Sequence, residues 1–356
     1  MEIIAPSDTD ALCAVIRDAS AQGRKLALRG NGSKTIGAPE PDATILDMRG
    51  FSGVVDYDPP ELVLTVRAGT PLSEVQALVA GEGQMLAFEP LDPSGRATVG
   101  GMVAAGLSGS RRVSAGAVRD HLLGFEAMSG RGERFVAGGK VVKNVTGYDL
   151  PKLLAGSWGR LAALVEVTLK VLPRPRHAET LLCEGLSLAD AQQAMNAAIG
   201  STAAVAAVAH RPGMVALRLE GFEPSVRARR ALFPAWRVAE ADEAAAFWNT
   251  LADPLPDAPT LWRTSVPPAR GAALIAQLDG PWLGDWAGGL IWYGGNDDPR
   301  ARAAALGGHA LLFRAPEPVR RTVAALHPQP DGVARLEERV RRAFDPAGIF
   351  ETGRFA

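Results

Sequence analysis

Residues 29–34 read RGNGSK and follow a short apolar strand pattern at residues 25–29. The glycines leave consecutive backbone N–H groups with little side-chain bulk, and such a turn can form a concave nest for an anion. We predict a diphosphate contact here, with charge added by the two basic side chains. An ordinary glycine turn between two strands also explains these residues, and both interpretations stay open at this point. The candidate contact residues are Arg29, Gly30, Asn31, Gly32, Ser33 and Lys34.

The spacing of these glycines excludes two common nucleotide-binding motifs. The next glycine after Gly32 is Gly37, which is too distant for a G-x-G-x-x-G fingerprint. Pro39 and Pro41 also prevent the helix that must follow a Rossmann turn. A Gly-Lys-Ser/Thr run is missing from this stretch, so it is not a P-loop. An NAD-dependent enzyme is therefore a much weaker interpretation.

A second glycine-rich stretch, residues 98–106, reads TVGGMVAAG. We predict that it begins a helix whose first amides point at an anion, while its small residues let a cofactor lie against the backbone. A purely structural glycine-rich loop is the alternative. The candidates are Thr98, Val99, Gly100 and Gly101 in this stretch, with Gly116, Arg119 and Asp120 in the polar loop that follows.

A third stretch, residues 143–153, reads KNVTGYDLPKL and precedes a strand pattern at residues 161–172. Its mixture of Asn, Gly, Tyr and Asp before a short predicted helix indicates the polar wall of a pocket. The strand ends at residues 173–176, PRPR, which is our predicted domain boundary.

The composition limits the class of protein. The chain has 356 residues, enough for two domains, and its 38 basic and 39 acidic side chains nearly cancel, so a nucleic-acid binder is not indicated. The two cysteines, Cys13 and Cys183, are too few for an iron–sulfur cluster and fit a reducing compartment. We find no secretory signal and no apolar run long enough for a membrane span, and therefore predict a cytoplasmic protein. Peripheral attachment to a membrane complex stays open.

Hydrophobic periodicity predicts an α+β protein. Residues 1–88 are predicted to form one small sheet with two helices, the first capped by Ser7 and ended by Gly23. Residues 122–128 and 133–137 are predicted to form a hairpin. Beyond residue 176 the pattern indicates an antiparallel sheet covered by helices, and we find no sequence repeat.

Taken together, these three stretches resemble the FAD-binding domain of the vanillyl-alcohol-oxidase and p-cresol-methylhydroxylase (PCMH) type. In particular they are similar to FAD-binding subunits of bacterial glycolate oxidases. The likeness covers about residues 1–175, and residues 344–350, FDPAGIF, resemble the C-terminal tail of the family. The combination of residues 98–101, 143–153 and 344–350 is more specific than any one of them.

The resemblance implies a two-lobed PCMH-type FAD-binding domain at residues 1–175 and a short ferredoxin-like α+β cap at residues 176–356. The cap would be a substrate or subunit-interface domain, with its tail returning to the FAD domain. Residues 30–34 and 98–101 would contact the FAD diphosphate and ribityl chain. Asn144, Gly147 and Tyr148 would lie near the flavin, and Val165 near the adenine.

Two departures qualify what the resemblance implies. Many relatives attach FAD through a histidine in the first loop, and residues 29–35 contain none, so we expect non-covalent FAD. Catalytic subunits of the family also carry a histidine-rich motif for a metal, whereas His177, His210, His309 and His327 are not closely spaced, and we predict no metal.

The resemblance therefore implies a subunit that works with others to oxidise a small 2-hydroxy acid. Its partners would be a larger flavin-containing catalytic subunit and an iron–sulfur subunit. The chain would oxidise substrate, relay electrons or support its partner. A self-sufficient FAD-dependent alcohol or sugar oxidoreductase and a non-catalytic assembly subunit are the alternatives.

Catalytic residues are not identified by the sequence. Oxidation of a hydroxy acid requires a base for the hydroxyl proton and a cation for the carboxylate. His309 with Arg314 is one candidate pair, although a strand-edge histidine and a solvated arginine explain both residues. His121 is a second candidate base, with a structural role as the alternative. Further candidate carboxylate partners, which are surface charges by default, are Arg211, Arg218 and Arg263.

Overall fold

The structure is a computed structural model that describes residues 2–34, 36–140 and 147–355. Its strands are β1 (Ile3–Ile4), β2 (Leu26–Arg29), β3 (Thr44–Asp47), β4 (Val54–Asp58), β5 (Val63–Arg67), β6 (Gln84–Met85), β7 (Leu122–Ser129), β8 (Arg134–Gly138), β9 (Ala162–Lys170), β10 (Leu172–Pro173), β11 (His177–Glu184), β12 (Ala207–Arg211), β13 (Met214–Gly221), β14 (Arg237–Val238), β15 (Leu261–Ser265), β16 (Trp282–Asp285), β17 (Leu290–Gly294) and β18 (His309–Arg314). Its helices are α1 (Thr9–Gln22), α2 (Leu72–Gly81), α3 (Val99–Ala105), α4 (Arg112–Ala115), α5 (Val118–His121), α6 (Leu150–Leu154), α7 (Leu188–Gly200), α8 (Glu223–Arg230), α9 (Ala241–Ala252), α10 (Gly271–Ile275), α11 (Arg300–Ala305), α12 (Glu317–Thr322) and α13 (Asp331–Phe344). The predicted α+β class is confirmed.

The chain divides into two compact units by its internal contacts. Unit 1 comprises residues 1–108, 116–174 and 328–356, and unit 2 comprises residues 109–115 and 175–327. The last residues of the chain thus pack with its N-terminal half. The short segment 109–115 leaves that half and packs with unit 2. Within the described ranges, we find no helix with the length and apolar character that a membrane span needs.

Unit 1 contains two main sheets. β1, β3 and β2 form a small parallel sheet in that order, and α1 packs on it through Leu12, Ile16 and Ala19. The second sheet is antiparallel, with the order β4-β5-β9-β7-β8, and its core includes residues of α2 and α3. β6 and β10 form a separate two-stranded pair.

Three details of the predicted N-terminal half need correction. β4 and β5 do not belong to one small sheet with β2 and β3, because β5 pairs with β9 from much later in the chain. Asp8, and not Ser7, caps α1, since its side chain accepts a hydrogen bond from Ala11 N at 2.8 Å. Alternation of apolar residues predicts a strand at residues 62–67, but Leu62 adopts the left-handed region at φ 59°, so β5 begins one residue later, at Val63. Gly23 ends α1 with φ 66° as predicted.

Unit 2 is built on one eight-stranded antiparallel sheet with the order β14-β11-β13-β12-β16-β17-β15-β18. The sheet consists of two halves with the same βαββαβ order of elements, β11 to β14 and β15 to β18, and these halves meet where β12 pairs with β16. Each half has the strand order of a ferredoxin-like fold. The sequence shows no repeat, so the duplication is visible only in the topology.

Each half of this sheet has its own apolar core. α7 and α8 cover the first half through Met195 and Val226, and α10 and α11 cover the second half through Leu274 and Ala303. β12 and β16 were not predicted. β12 begins in the Ala-rich stretch 201–209, where the weak β propensity of alanine hides a buried strand.

The seam between the two halves contains a buried histidine. His210 on β12 pairs with Gly284 on β16, is 1% exposed, and packs against Trp282 with ring centroids 5.0 Å apart. Neither ring nitrogen has a hydrogen-bond partner in the described part of the chain. Burial therefore lowers the pKa of His210 from 6.5 to about 4.

We expect this histidine to make unit 2 less stable in mild acid. The folded state holds His210 neutral, while the unfolded chain binds a proton near pH 6.5. The free energy of unfolding is therefore unaffected by this group above pH 6.5 and decreases as the pH falls from 6.5 toward 4. The full shift corresponds to a loss of roughly 3 kcal/mol in the free energy of unfolding. Urea unfolding between pH 7.5 and 4.5 measures it, with His210→Leu as the variant that cannot titrate. Equal pH slopes for both proteins would contradict the prediction.

Candidate functional site

The first two glycine-rich stretches lie against each other in unit 1. β2 ends at Arg29, and the next residue, Gly30, packs directly on the side chain of Thr98. A Cβ atom added to Gly30 would lie 2.2 Å from Thr98 Oγ1 and 2.9 Å from its Cγ2, both too short for any real contact. Thr98 is 2% exposed. Glycine is therefore required at position 30 because of this approach, and two predicted cofactor segments form one continuous surface.

The amides of the loop after β2 are placed to bind a ligand. In the described part of the chain, none of the backbone N–H groups of residues 30–34 donates a hydrogen bond. Gly32 adopts φ 59°, a backbone conformation that residues other than Gly, Asn and Asp rarely adopt. It is exposed, as is Asn31. Unpaired amides in an exposed glycine turn fit an anionic diphosphate group.

The amides at the start of α3 are used differently. Val99 N donates to Thr70 O at 2.9 Å, and Gly100 N donates to Ala68 O at 2.7 Å. Gly101 N donates to the capping hydroxyl of Thr98 at 3.2 Å. The prediction of diphosphate contacts through backbone amides thus applies best to residues 30–34. At α3, the exposed glycine surface of Gly101 offers close backbone approach instead.

The two basic residues of the first loop differ in their partners. The Arg29 guanidinium pairs with Glu40, which is 5% exposed, at 3.1 Å. Lys34 Nζ makes one weak hydrogen bond, to Ser33 Oγ at 3.4 Å, and no ion pair with an acid of the described residues. Burial lowers the pKa of Lys34, and the nearby charge of Asp92 opposes that shift. Lys34 is therefore the cation of this loop that is left for an anionic ligand.

The C-terminal tail braces this loop, a role that sequence reasoning did not assign. Arg354 Nη2 donates to Lys34 O at 3.1 Å, and Arg354 Nε donates to Ile36 O at 2.7 Å. Ala38 N donates back to Arg354 O at 2.8 Å. Thr352 hydrogen-bonds Glu40, the partner of Arg29. The tail thus holds the backbone at Lys34, Ile36 and Ala38, at the end of the candidate nest.

Asp345 explains why the FDPAGIF segment is needed for this bracing. Its carboxylate is 3% exposed and accepts hydrogen bonds from Ile349 N at 3.0 Å and Phe350 N at 2.8 Å. Burial raises the pKa of Asp345, while those hydrogen bonds oppose the shift. The turn directs Ile349 and Phe350 into the core of the small sheet, and this anchors the tail.

The remaining predicted cofactor residues of unit 1 lie in the loop at residues 116–120 and in the core. Asp120 accepts a hydrogen bond from Ala117 N at 2.9 Å and lies 3.9 Å from Arg119 across an exposed ion pair, beside Gly116 with φ 88°. Val165 is buried in the core, and its carbonyl accepts a bond from Ala68 N at 2.8 Å.

The third predicted stretch is only partly described. Asn144 lies outside the described residues. Gly147 and Tyr148 are exposed, and Tyr148 reaches 92%. The predicted helix here begins at Leu150 because Asp149 is its N-cap. The roles of these residues stay predictions.

The candidate catalytic residues do not form a histidine base with an arginine that binds the substrate carboxylate. His121 is fully buried, and its Nδ1 lies 3.2 Å from Lys170 O, which is a structural contact. The guanidinium of Arg314 is bound by the carbonyls of Leu255 and Ala258, so it does not act with His309 as a carboxylate clamp. Among the described residues, we find no cluster of His, Cys, Asp or Glu that could hold a metal ion.

Comparisons with known proteins show which family the chain belongs to. Residues 2–138 match the family model of an FAD binding domain. The chain is 37% identical to glycolate oxidase subunit GlcE of Escherichia coli over 354 residues, which is 97% of each chain. It is also 30% identical to glycolate oxidase subunit GlcD of Bacillus subtilis over 184 residues, or 51% of this chain and 38% of that protein.

The fold is shared with more distant proteins. A solved structure of alkyldihydroxyacetonephosphate synthase superposes with a TM-score of 0.68 at 16% identity, covering 98% of this chain and 75% of that one. This likeness concerns the fold alone. The identity with GlcE over nearly the full length goes further, and it confirms the resemblance found in the sequence: the chain belongs to the family of glycolate oxidase subunit GlcE and carries an FAD binding domain at residues 2–138.

Proposed function

We propose that this chain is the FAD-binding subunit of a multi-subunit complex that oxidises glycolate or a similar small 2-hydroxy acid to the 2-oxo acid. The carrying observation is that the amides of residues 30–34 donate to no group in the described ranges, while Gly30 packs on Thr98 and Arg354 of the tail donates to Lys34 O. Family membership supports the same assignment, because the relatives GlcE and GlcD are both named as glycolate oxidase subunits.

The residues of unit 1 divide the work of binding the cofactor. The amides of residues 30–34 and the ammonium group of Lys34 would hold the diphosphate of FAD, while Gly101 lets the cofactor approach the backbone. FAD held by these residues would supply a two-electron acceptor for the oxidation. The first loop contains no histidine, which supports non-covalent binding.

The partners in this proposal are a larger flavin-containing catalytic subunit and an iron–sulfur subunit that removes electrons. The described part of this chain offers neither a metal cluster nor a placed base–clamp pair. Within the complex, the chain would oxidise the substrate itself, relay electrons or support its partner. The same proposal places the complex in the cytoplasm, and peripheral association with the inner face of the membrane stays open.

A matched pair of substitutions at Gly32 tests the cofactor site inside the complex. Space around Gly32 is open, and asparagine tolerates its φ of 59°, so Gly32→Asn should keep FAD. Gly32→Asp has almost the same shape and adds a negative charge beside the diphosphate. We expect that charge to weaken FAD binding about tenfold or more, since one such repulsion costs ~1.4 kcal/mol or above.

The measurement is the flavin content of the tagged chain purified with its partner subunits, before and after acid precipitation. Release of FAD into the supernatant supports non-covalent binding. Bleaching of the flavin by glycolate should require the partners. Bleaching of the isolated chain would instead show a self-sufficient oxidoreductase, and a chain without flavin after FAD is added would show an assembly subunit. Equal flavin in the Asp and Asn variants would remove the proposed diphosphate site.

A further inference from the structure

The last helix of the chain, α13, is anchored at its C-terminal end. Val340 and Phe344 pack on the core of unit 1, and the Phe344 ring lies 5.8 Å from the ring of Phe135 on β8. Gly130 N, in the loop that follows β7, donates to Phe344 O at 3.0 Å. These contacts hold the last turn of α13 against β8 and that loop.

The first half of the same helix projects from that anchor. Residues 331–339 are all exposed, so every side of these turns faces water. Pro330 precedes the helix, and the first turn has no side-chain cap. A helix of this length is marginal in water and normally takes its stability from packing. The first half of α13 therefore receives little support from the rest of the described chain.

An apolar stripe continues along this exposed half. Val333 and Leu336 are 43% and 57% exposed. Their spacing places them on the same side of the helix as Val340 and Phe344, which the core partly covers. The pattern of an amphipathic helix is thus satisfied by packing in the second half only. The apolar side of the first half is left for another molecule.

Two arginines along one flank of the stripe have no partner among the described residues. Arg339 follows Leu336 by three positions and Arg335 by four, so the two arginines lie on the same flank. Neither side chain makes a hydrogen bond or an ion pair with the described residues. At this spacing their like charges repel each other. Carboxylates from outside the chain would stabilise this flank.

The acidic residues of α13 do not supply those carboxylates. Its two glutamates form ion pairs within the helix, Glu337 with Arg341 at 3.6 Å and Glu338 with Arg342. Asp331 lies on the side of the helix opposite the stripe. A second copy of α13 would therefore offer no free acid to the two unpaired arginines. Charge complementarity favours a different protein as the partner.

We propose that the first half of α13 is a docking helix for a partner subunit, which receives it in an apolar groove with carboxylates along one rim. Exposure on every side fits a groove, because a groove covers several faces of a helix at once. The stripe would lie on the floor of the groove, and the flank with the two arginines would meet the acidic rim. This inference rests on the proposed function, since it requires the multi-subunit complex, and it assigns one surface of this chain to that contact.

Binding of the purified partner subunits to the immobilised full-length chain tests the apolar part of the contact. Leu336→Gln keeps a good helix former and removes the apolar side chain near the middle of the exposed stripe. We expect it to weaken partner binding about 10-fold or more, the effect of losing a leucine that becomes buried on binding. Leu232→Gln is the matched control, because Leu232 is 52% exposed in unit 2, and it should leave binding unchanged.

A second pair of variants tests the charged flank. Arg339→Gln should weaken binding about two- to fivefold, the range for one exposed ion pair. It should also make binding less sensitive to salt, because screening acts on that pair. Arg339→Lys keeps the charge and should bind nearly as the unmodified chain does. Equal salt dependence in the Gln variant and the unmodified chain would remove the acidic rim from the proposal.

Hydrogen exchange gives a measurement on the unmodified chain. The amides of residues 331–339 should exchange rapidly in the chain alone, because little packing supports this half of the helix. They should exchange slowly in the complex, where the groove would cover them. Unchanged exchange of these amides in the complex would overturn the proposal.

Three further outcomes separate this proposal from its rivals. Equal partner binding by Leu336→Gln and the unmodified chain would overturn it. A dimer of the isolated chain that Leu336→Gln disrupts would identify a second copy as the occupant and would also overturn it. Flavin content and unfolding temperature should be unchanged in each variant, because both substituted residues of α13 are exposed. A chain that binds its partners without holding FAD would contradict the proposed cofactor role and leave this contact intact, so the two failures are distinguishable.

Discussion

Replacing Gly30 by alanine is expected to release FAD and to destabilise unit 1. The new Cβ atom would lie 2.2 Å from Thr98 Oγ1, and Thr98 cannot move aside because it is buried and its hydroxyl caps α3. The loop of residues 30–34 must then separate from α3. We expect a loss of about 2–3 kcal/mol in the free energy of unfolding and at least a ~10-fold weaker FAD affinity, equivalent to ~1.4 kcal/mol. Titration of the flavin-free chain with FAD and thermal unfolding measure the two effects.

Two further variants show whether the cause is this contact. Gly81→Ala adds the same methyl group at the end of α2, where nothing lies within 4 Å, so it should leave FAD affinity unchanged and should not lower the free energy of unfolding. Combining Gly30→Ala with Thr98→Ala removes Oγ1 and Cγ2 and leaves only Cβ, at 3.1 Å. Partial recovery of FAD affinity in that double variant is expected. An alanine at position 30 that binds FAD normally would show that the two segments do not form one surface.

Gly284→Ala is expected to be the most damaging single change in unit 2. An added Cβ would lie 1.9 Å from Nε2 and 2.0 Å from Cδ2 of His210, at the single pairing that joins the two half-sheets. The ring is enclosed by Trp282 and the sheet, so relief requires that the seam open. We expect a loss of about 3 kcal/mol, or an unfolding temperature lower by roughly 6 °C or more. Calorimetry on the full chain measures it.

A double-mutant cycle isolates the cause of that loss. His210→Ala alone leaves a cavity and is expected to destabilise, but in its presence the alanine at position 284 has room. The double variant should therefore be more stable than the sum of the two single losses predicts. Additive losses would show that Gly284 is needed for some reason other than its contact with His210.

Much of the secondary structure could be predicted from local sequence patterns. α1 with its glycine end, the β7–β8 hairpin and the helix at the end of the chain follow from hydrophobic periodicity and turn residues, which act over a few neighbouring positions. β12 was not predicted because alanine has a weak β propensity. Its alanines form a strand because the tertiary structure buries them.

The residues of the candidate site could be predicted from the sequence, but the contacts between them could not. The sequence indicated that residues 30–34 and 98–101 are glycine-rich, but it does not show which glycine is required for positive φ and which for contact. Gly32 adopts φ 59° in open space, whereas Gly30 is required by Thr98 alone. The bracing of the loop by Arg354 was likewise invisible, because it joins residues more than 300 positions apart.

The sequence by itself therefore determined the α+β class and most helices and strands, since these depend on periodicity and on turn residues. Its resemblance to a known family indicated the family and the cofactor. Only the tertiary structure decided that segment 109–115 packs with unit 2 and that the eight-stranded sheet of unit 2 is duplicated, whereas the family resemblance already implied the return of the tail. These features are contacts between distant parts of the chain, and steric fit and charge compensation at such contacts leave no local pattern in the sequence.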